Sequence, residues 1–156
     1  MPLSVRPYRP GDLDGLIDIF GGAIRDVAAK DYDAAQIAVW AQVDRESFAA
    51  RRLSRPTWVA VIDQMPVGFS DLEPNGHLDM MYVHPGHQGR GVATALLQQV
   101  ETAARAGSLG RIFTDASITA RPFFENHGFQ VVRSQDVALR GQRLTNFRME
   151  KRFSAV

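Results

Sequence analysis

The stretch His84-Pro85-Gly86-His87-Gln88-Gly89-Arg90-Gly91-Val92-Ala93-Thr94-Ala95-Leu96-Leu97 constrains this chain more than any other. An apolar strand pattern runs into it, and a helical pattern with a broad apolar stripe leaves it. Glycines stand where strand gives way to helix. Such a turn leaves the first backbone N–H groups of the helix unpaired at the positive end of its dipole. That arrangement is an anion site. Three phosphate-loop patterns compete for it. A P-loop requires Gly-Lys-Ser/Thr, which occurs nowhere in the sequence. A dinucleotide fingerprint requires glycine or alanine three residues after the second glycine, where Thr94 stands, and no repeating βαβ pattern surrounds it. The pattern that remains is Gln88-x-x-Gly91-x-Ala93.

The rest of the chain supplies one setting for this loop. A length of 156 residues with 45% hydrophobic and 22% charged residues fits a single globular domain, residues 1–156, able to bury its own core. A net charge of +1, from 18 basic and 17 acidic residues, gives no basic footprint for nucleic acid or a membrane surface. There is no cysteine, which excludes disulfides, thiolate metal sites and a cysteine acyl-enzyme. With neither a signal-peptide pattern nor a membrane-length apolar run, the expected compartment is the cytoplasm. The sequence leaves a homodimer open.

Periodicity predicts a strand at 3–8, then a helix over 13–29 with Asp12 as its N-cap and Gly21-Gly22 as an interruption. Helices follow from Asp33 to Trp40 and from Asp44, the latter carrying Phe48, Ala49, Arg52 and Leu53. Strands at 57–62, 67–72 and 77–84 form a meander with turns at 63–66 and 74–76. After the long helix that Gly107 stops come a short strand at 111–114, a helix near Ala120 capped by Thr119, and a hairpin of 129–139 and 143–153. The sum is a mixed α/β (α+β) fold. It has a mostly antiparallel sheet of six to seven strands, at least one parallel pair, and helices on both faces.

The loop and two further segments resemble the GNAT superfamily of N-acetyltransferases. Gln88-Gly89-Arg90-Gly91-Val92-Ala93 is similar to its Gln/Arg-x-x-Gly-x-Gly/Ala signature. Met81-Tyr82-Val83-His84-Pro85 looks like its central strand, and Ala120-Arg121-Pro122-Phe123-Phe124-Glu125-Asn126-His127-Gly128-Phe129 like its Ala-x-x-Phe-Tyr-x-x-x-Gly-Phe segment. The resemblance implies a GNAT-like acyl-CoA N-acyltransferase fold with acetyl-CoA as cosubstrate and no metal. It implies pyrophosphate on the amides of Gln88, Gly89, Arg90, Gly91, Val92, Ala93 and Thr94, with Arg90 adding charge. The pantetheine arm would pair with Met81, Tyr82 and Val83 and run past Ser117, Phe123 and Phe124.

The implied reaction is direct transfer of acetyl to a primary amine of a small molecule or a protein. It needs a base, an oxyanion donor and an acid. Met81 or Tyr82 is the candidate backbone oxyanion donor. The acid of many family members is the tyrosine of the Phe-Tyr pair. Phe124 stands there without a hydroxyl, which leaves Tyr82 or water. Asp79 and Glu73 are the base candidates; their bland readings are a strand carboxylate paired with arginine and a solvated turn residue. Tyr32, read as a rim residue, and Trp40 are candidates for the acceptor site. His77, His84 and His87 read as surface histidines, since His77 and His84 have opposite parity on one strand. Two rivals follow from these departures: a catalytically silent acyl-CoA sensor, and a nucleotide-binding fold unrelated to coenzyme A.

Overall fold

The computed structural model describes residues 2–153. Strand β1 (Leu3–Pro7) leads through a 3₁₀ turn into helix α1 (Leu13–Gly22). Asp12 does not cap α1 with its side chain. Its carboxylate takes two bonds from the Arg6 guanidinium, both 2.8 Å, and one from the Arg9 N–H at 2.9 Å. A nearby guanidinium on the neighbouring strand competes better for that carboxylate than the helix N–H groups do. Beyond Gly21-Gly22 the helical hydrogen bonding loosens to a π-turn over Ala23–Val27, then tightens to a 3₁₀ turn over Ala28–Lys30. Helices α2 (Ala34–Trp40) and α3 (Arg45–Ser54) start where expected, because Asp33 and Asp44 accept backbone N–H groups of their first turns.

Strands β2 (Thr57–Ile62) and β3 (Met65–Asp71) pair antiparallel, with β3 starting at Met65 inside the expected turn. The expected third strand is broken. Strand β4 (His77–Leu78) and strand β5 (Met81–Val83) are separated by Asp79 and Met80, and they belong to different sheets. After helix α4 (Val92–Ala106), strand β6 runs from Arg111 to Ser117, three residues longer than expected. Helix α5 (Arg121–Asn126) and the hairpin of β7 (Gln130–Leu139) and β8 (Gln142–Arg152) complete the chain. Thr119 does not cap α5; its hydroxyl bonds Asp31, and the Ser117 hydroxyl accepts the Ala120 N–H at 3.0 Å instead. One sheet has the order β1-β2-β3-β5 and the other β4-β6-β8-β7, with β4 and β6 the parallel pair. Eight strands counted with β4 and β5 as one make seven, within the expected number.

A buried polar cluster explains the break. Asp71 ends β3 and is fully buried. Its Oδ1 accepts both the Asp79 and Met80 N–H groups at 2.9 Å, and its own N–H donates to the Met80 carbonyl at 3.1 Å. The Ser70 hydroxyl donates to the same carbonyl at 2.8 Å. These two residues therefore satisfy the backbone groups that lose ladder partners when the strand leaves β3. Arg52 of α3, also fully buried, holds Asp71 Oδ2 at 3.0 Å, with its guanidinium 5.2 Å from the Phe48 ring centre and 5.8 Å from that of Phe69. Burial pushes the Asp71 carboxyl up and the Arg52 guanidinium down, and their pairing opposes both shifts.

Helix α4 packs tightly on the first sheet. A Cβ at Gly68 would lie 2.8 Å from Val92 Cγ1 and 3.1 Å from the Tyr82 carbonyl oxygen, so only glycine lets the start of α4 come so close. Val92, Leu96, Leu97, Val100 and Ala104 are buried along this face. Each of the larger aliphatic side chains contributes roughly 1.5–3 kcal/mol by burial.

Arg52→Met leaves the Asp71 carboxylate buried and loses its closest cation. It is expected to cost about 3–5 kcal/mol in urea unfolding. The double variant Arg52→Met/Asp71→Asn keeps an acceptor for the Asp79 and Met80 N–H groups without a buried charge, and should recover at least half of that loss. A double variant as unstable as the single one would show that the buried charge is not the cause.

Candidate active site

Because β5 stays with β3 while β6 follows β4, one edge of β5 is left without a strand. The register assigns which main-chain groups face that gap. His84 N–H bonds the Val67 carbonyl and Asp71 N–H the Met80 carbonyl, with Phe69 opposite Tyr82 between them. Alternation along an antiparallel pair then turns the Tyr82 main chain toward β3, and those of Met81 and Val83 into the gap. The Gln88 side-chain amide takes the Val83 carbonyl at 3.0 Å and ties the glycine loop to the end of β5.

The loop itself is built for an anion. Gly89 and Gly91 hold φ of +73° and +80°, a left-handed backbone that glycine adopts without strain, and space around both is open. Gly91 is the N-cap of α4 and has no side chain to occupy the helix end. The first helical bond runs from Ala95 N–H to the Gly91 carbonyl, so the N–H groups of Val92, Ala93 and Thr94 have no acceptor within the helix. Arg90 is exposed beside them and makes no ion pair among the described residues. The Thr94 hydroxyl bonds His127 Nε2 at 3.2 Å, and that ring leans on Phe123.

From this loop a cavity of about 180 Å³ follows the edge of β5. Met81, Tyr82 and Val83 form one wall, Ser117, Phe123 and Phe124 another, and the π-turn residues Ala23, Ile24 and Val27 a third. Irregular backbone at Ala23–Val27 thus coincides with a cavity wall. Phe124 is 4% exposed and packs edge-on against Phe129, so the position expected to bear a hydroxyl is part of the core.

Tyr82 stands where this cavity meets three others. Its ring packs against Phe20 at 4.9 Å and Phe69 at 5.8 Å. Burial pushes its phenol well above the ordinary tyrosine value, with Trp40 pulling the other way. Asp79 lines two of the adjoining cavities and lies 3.2 Å from Arg55. Glu73 is held apart from this junction: Arg55 is 3.2 Å away on one side and His77 Nδ1 bonds it on the other. His77 is not a surface residue as expected. It is half-buried, and its ring stacks on Phe113 at 4.9 Å.

Trp40 borders every cavity around Tyr82, and Tyr32 borders one of them. Tyr32 is 7% exposed rather than at a rim. Its hydroxyl donates to the Thr145 carbonyl at 2.5 Å and accepts the Ile118 N–H at 2.9 Å, which pins the segment before α2 to β8 and to the residue that follows β6. Asp115 of β6 borders the same cavity and was not singled out from the sequence. Desolvation raises its carboxyl, but the bonds from Arg148 and Gln135 outweigh this and hold it below the usual range. Asp115 carries no local sequence signal for such a site, because the arginine that holds it lies on a strand distant in sequence.

Comparison with known proteins agrees with this geometry. The family model described as "Acetyltransferase (GNAT) domain" matches residues 28–151. The uncharacterized N-acetyltransferase YafP of Escherichia coli is 41% identical over 148 residues, covering 94% of each chain. The crystal structure of a GCN5-related N-acetyltransferase from Rhodopseudomonas palustris is 35% identical, with a TM-score of 0.95 over 98% of this chain and 97% of that one. The structure of YncA, a putative acetyltransferase from Salmonella typhimurium with its cofactor acetyl-CoA, shares the fold at 18% identity, with a TM-score of 0.76 over 100% of this chain and 96% of that one. Among the described residues, no helix is long and apolar enough to cross a membrane. The chain belongs to the GNAT family and is an N-acetyltransferase of that family.

Proposed function

We propose that this enzyme transfers the acetyl group of acetyl-CoA directly to a primary amine, and that the amine belongs to a small molecule rather than a protein. One observation carries the reading: the open main-chain edge of Met81 and Val83 leads straight from the uncapped start of α4 to the Tyr82 junction. Residues 1–156 are read as one catalytic domain acting in the cytoplasm.

The residues divide the task. Val92, Ala93 and Thr94 offer N–H groups, and Arg90 a positive charge, to the pyrophosphate. Met81 and Val83 pair with the amides of the pantetheine arm as an added strand would. Ser117, Phe123 and Phe124 close the other side. When bound, the thioester supplies an activated acetyl group at the end of that arm. The Met81 N–H, turned away from β3, serves as donor to the carbonyl oxygen as negative charge develops there, a role the Tyr82 N–H cannot take because it faces Phe69. The amine nitrogen bonds to the acetyl carbon and the carbon–sulfur bond breaks. Asp79 draws the surplus amine proton through water, and the Tyr82 phenol protonates the departing thiolate. Small cavities of about 140 and 340 Å³ on the far side of Tyr82 suit a small acceptor.

Thiol release measured over a panel of amines and peptides tests the transfer. Activity on peptides alone would overturn the small-molecule reading, and tight acetyl-CoA binding without turnover on any amine would favour a sensor. Gly91→Glu places bulk and negative charge where the pyrophosphate sits. It should abolish acetyl-CoA binding in calorimetry and leave the circular dichroism spectrum intact; undiminished affinity would refute the loop's role. Tyr82→Phe should lower kcat by about 100-fold with little change in KM for acetyl-CoA. Phe124→Tyr added to that variant should recover part of the rate. A Tyr82→Phe enzyme as fast as the parent would remove Tyr82 from the proton path.

A further inference from the structure

The glycine loop is tied to α5 by a histidine with both ring nitrogens engaged. His127 is half-buried at the end of α5, its ring centre 4.2 Å from that of Phe123. Its Nδ1 lies 2.8 Å from the Phe123 carbonyl oxygen, and its Nε2 lies 3.2 Å from the Thr94 hydroxyl. A carbonyl only accepts, so Nδ1 carries a proton. In the neutral ring Nε2 then has none, and it accepts from Thr94. That bond uses the one proton of the Thr94 hydroxyl, which makes no other hydrogen bond among the described residues. Thr94 is also one of the residues whose N–H groups are left free at the start of α4. An anion held by those N–H groups would meet the lone pairs of the Thr94 oxygen rather than its proton.

A proton on Nε2 reverses this bond. The ring then donates from both nitrogens, the Thr94 oxygen accepts, and its O–H is free to turn to the anion. The protein's own charges leave that proton unmatched. On α5, Arg121 pairs with Glu125. On α4, Glu101 pairs with Lys151 of β8, whose stem lies against Gly128, and Arg105 sits over the Phe153 ring. On β6, Arg111 and Asp115 are matched by Glu150 and Arg148 of β8. On β7, Arg133 and Asp136 bond Gln135 and Thr145. In the loop, Arg90 is exposed and positive, and His84 and His87 bond each other. Among the described residues no carboxylate pairs with His127, so the negative charge that favours its protonated ring has to come from a ligand.

We infer that His127 is a positioning residue for the cosubstrate, an inference that rests on the pyrophosphate reading of the loop. Protonation of its Nε2 turns the Thr94 hydroxyl toward the pyrophosphate, so acetyl-CoA binds together with a proton. His127 acts through Thr94 and does not itself touch the ligand. The sign follows from linkage. The bound enzyme holds this proton more tightly than the free one, so affinity is greatest at low pH. It declines as pH rises through the range in which imidazoles change charge, about 5 to 8. A hydroxyl that donates to a charged oxygen, instead of opposing it with lone pairs, changes affinity about tenfold.

Calorimetry in buffers of different ionisation enthalpy, at about pH 7, counts the protons taken up on binding. The probe is acetyl-CoA lacking its 3′-phosphate, which leaves the ligand without a phosphate monoester that titrates near neutral pH. The parent enzyme should take up a fraction of a proton and lose about tenfold in affinity between about pH 6 and 8. His127→Gln and Thr94→Val should each abolish the uptake and flatten the pH profile; a histidine that merely supports the fold would leave the uptake in place. Nitrogen NMR of the imidazoles in the parent protein needs no variant. At one pH it should show His127 Nε2 without a proton in the free enzyme and with one in the acetyl-CoA complex. No uptake by the parent, uptake that survives in either variant, or an unprotonated Nε2 in the complex would each overturn the inference while leaving acetyl-CoA binding intact. Absence of acetyl-CoA binding would instead overturn the pyrophosphate reading, and this one with it.

Discussion

One buried carboxylate organises the centre of this molecule. Asp71 accepts two consecutive backbone N–H groups, from Asp79 and Met80, at the point where a strand must leave its neighbour. Without an acceptor there, those groups would be unpaired in the interior, at a cost of order 1–3 kcal/mol each. The carboxylate is itself tolerable because Arg52 lies 3.0 Å away between two aromatic rings. From that arrangement follow the split between the two sheets, the vacant edge of β5, and the slot that runs from the glycine loop to Tyr82. A pair of buried ions is seldom a strong source of stability. Here its effect is geometric: it permits an interruption of the ladder that an apolar core would not satisfy.

On the proposed reading the glycine loop and the broken strand act on different parts of one ligand. The loop offers unpaired N–H groups at a helix start and so suits a pyrophosphate; the open strand edge suits an amide-bearing arm. Neither dictates the acceptor. On that reading the acceptor side is formed by Tyr82 together with Trp40 and the β7–β8 turn, and the latter two lie outside the segments that resemble the family. Phe124 fills the core at the position where a hydroxyl is usual, and the Tyr82 phenol borders the same cavity.

Much of this was legible in the sequence. Strong local signals placed the elements: the β-branched run of β2, the Asp33 and Asp44 caps, the apolar stripe of α4, and Gly89-x-Gly91 at its start. The glycine spacing and the two flanking segments also identified the family. What escaped notice depends on contacts between distant residues. Asp12 looks like a cap until Arg6 is brought alongside it by strand pairing. The strand pattern of 77–84 conceals a break, because the acceptor that stabilises it, Asp71, sits on another strand. Arg52, at helical spacing from Phe48, reads as a polar residue on an amphipathic helix, yet it is fully buried. Tyr32 looks exposed beside Lys30 and Asp31, but its hydroxyl is used to bridge Ile118 and Thr145.

In the proposed binding mode acetyl-CoA is held by the main chain of β5 and by the start of α4, in the register described. Amide hydrogen exchange followed residue by residue, with and without acetyl-CoA, tests it most directly. Exchange should slow at Met81, Val83, Val92, Ala93 and Thr94 on addition of the ligand. The Tyr82 amide, already bonded within the sheet, should change far less. Protection confined to other elements, or a change at Tyr82 with none at Met81 and Val83, would contradict it.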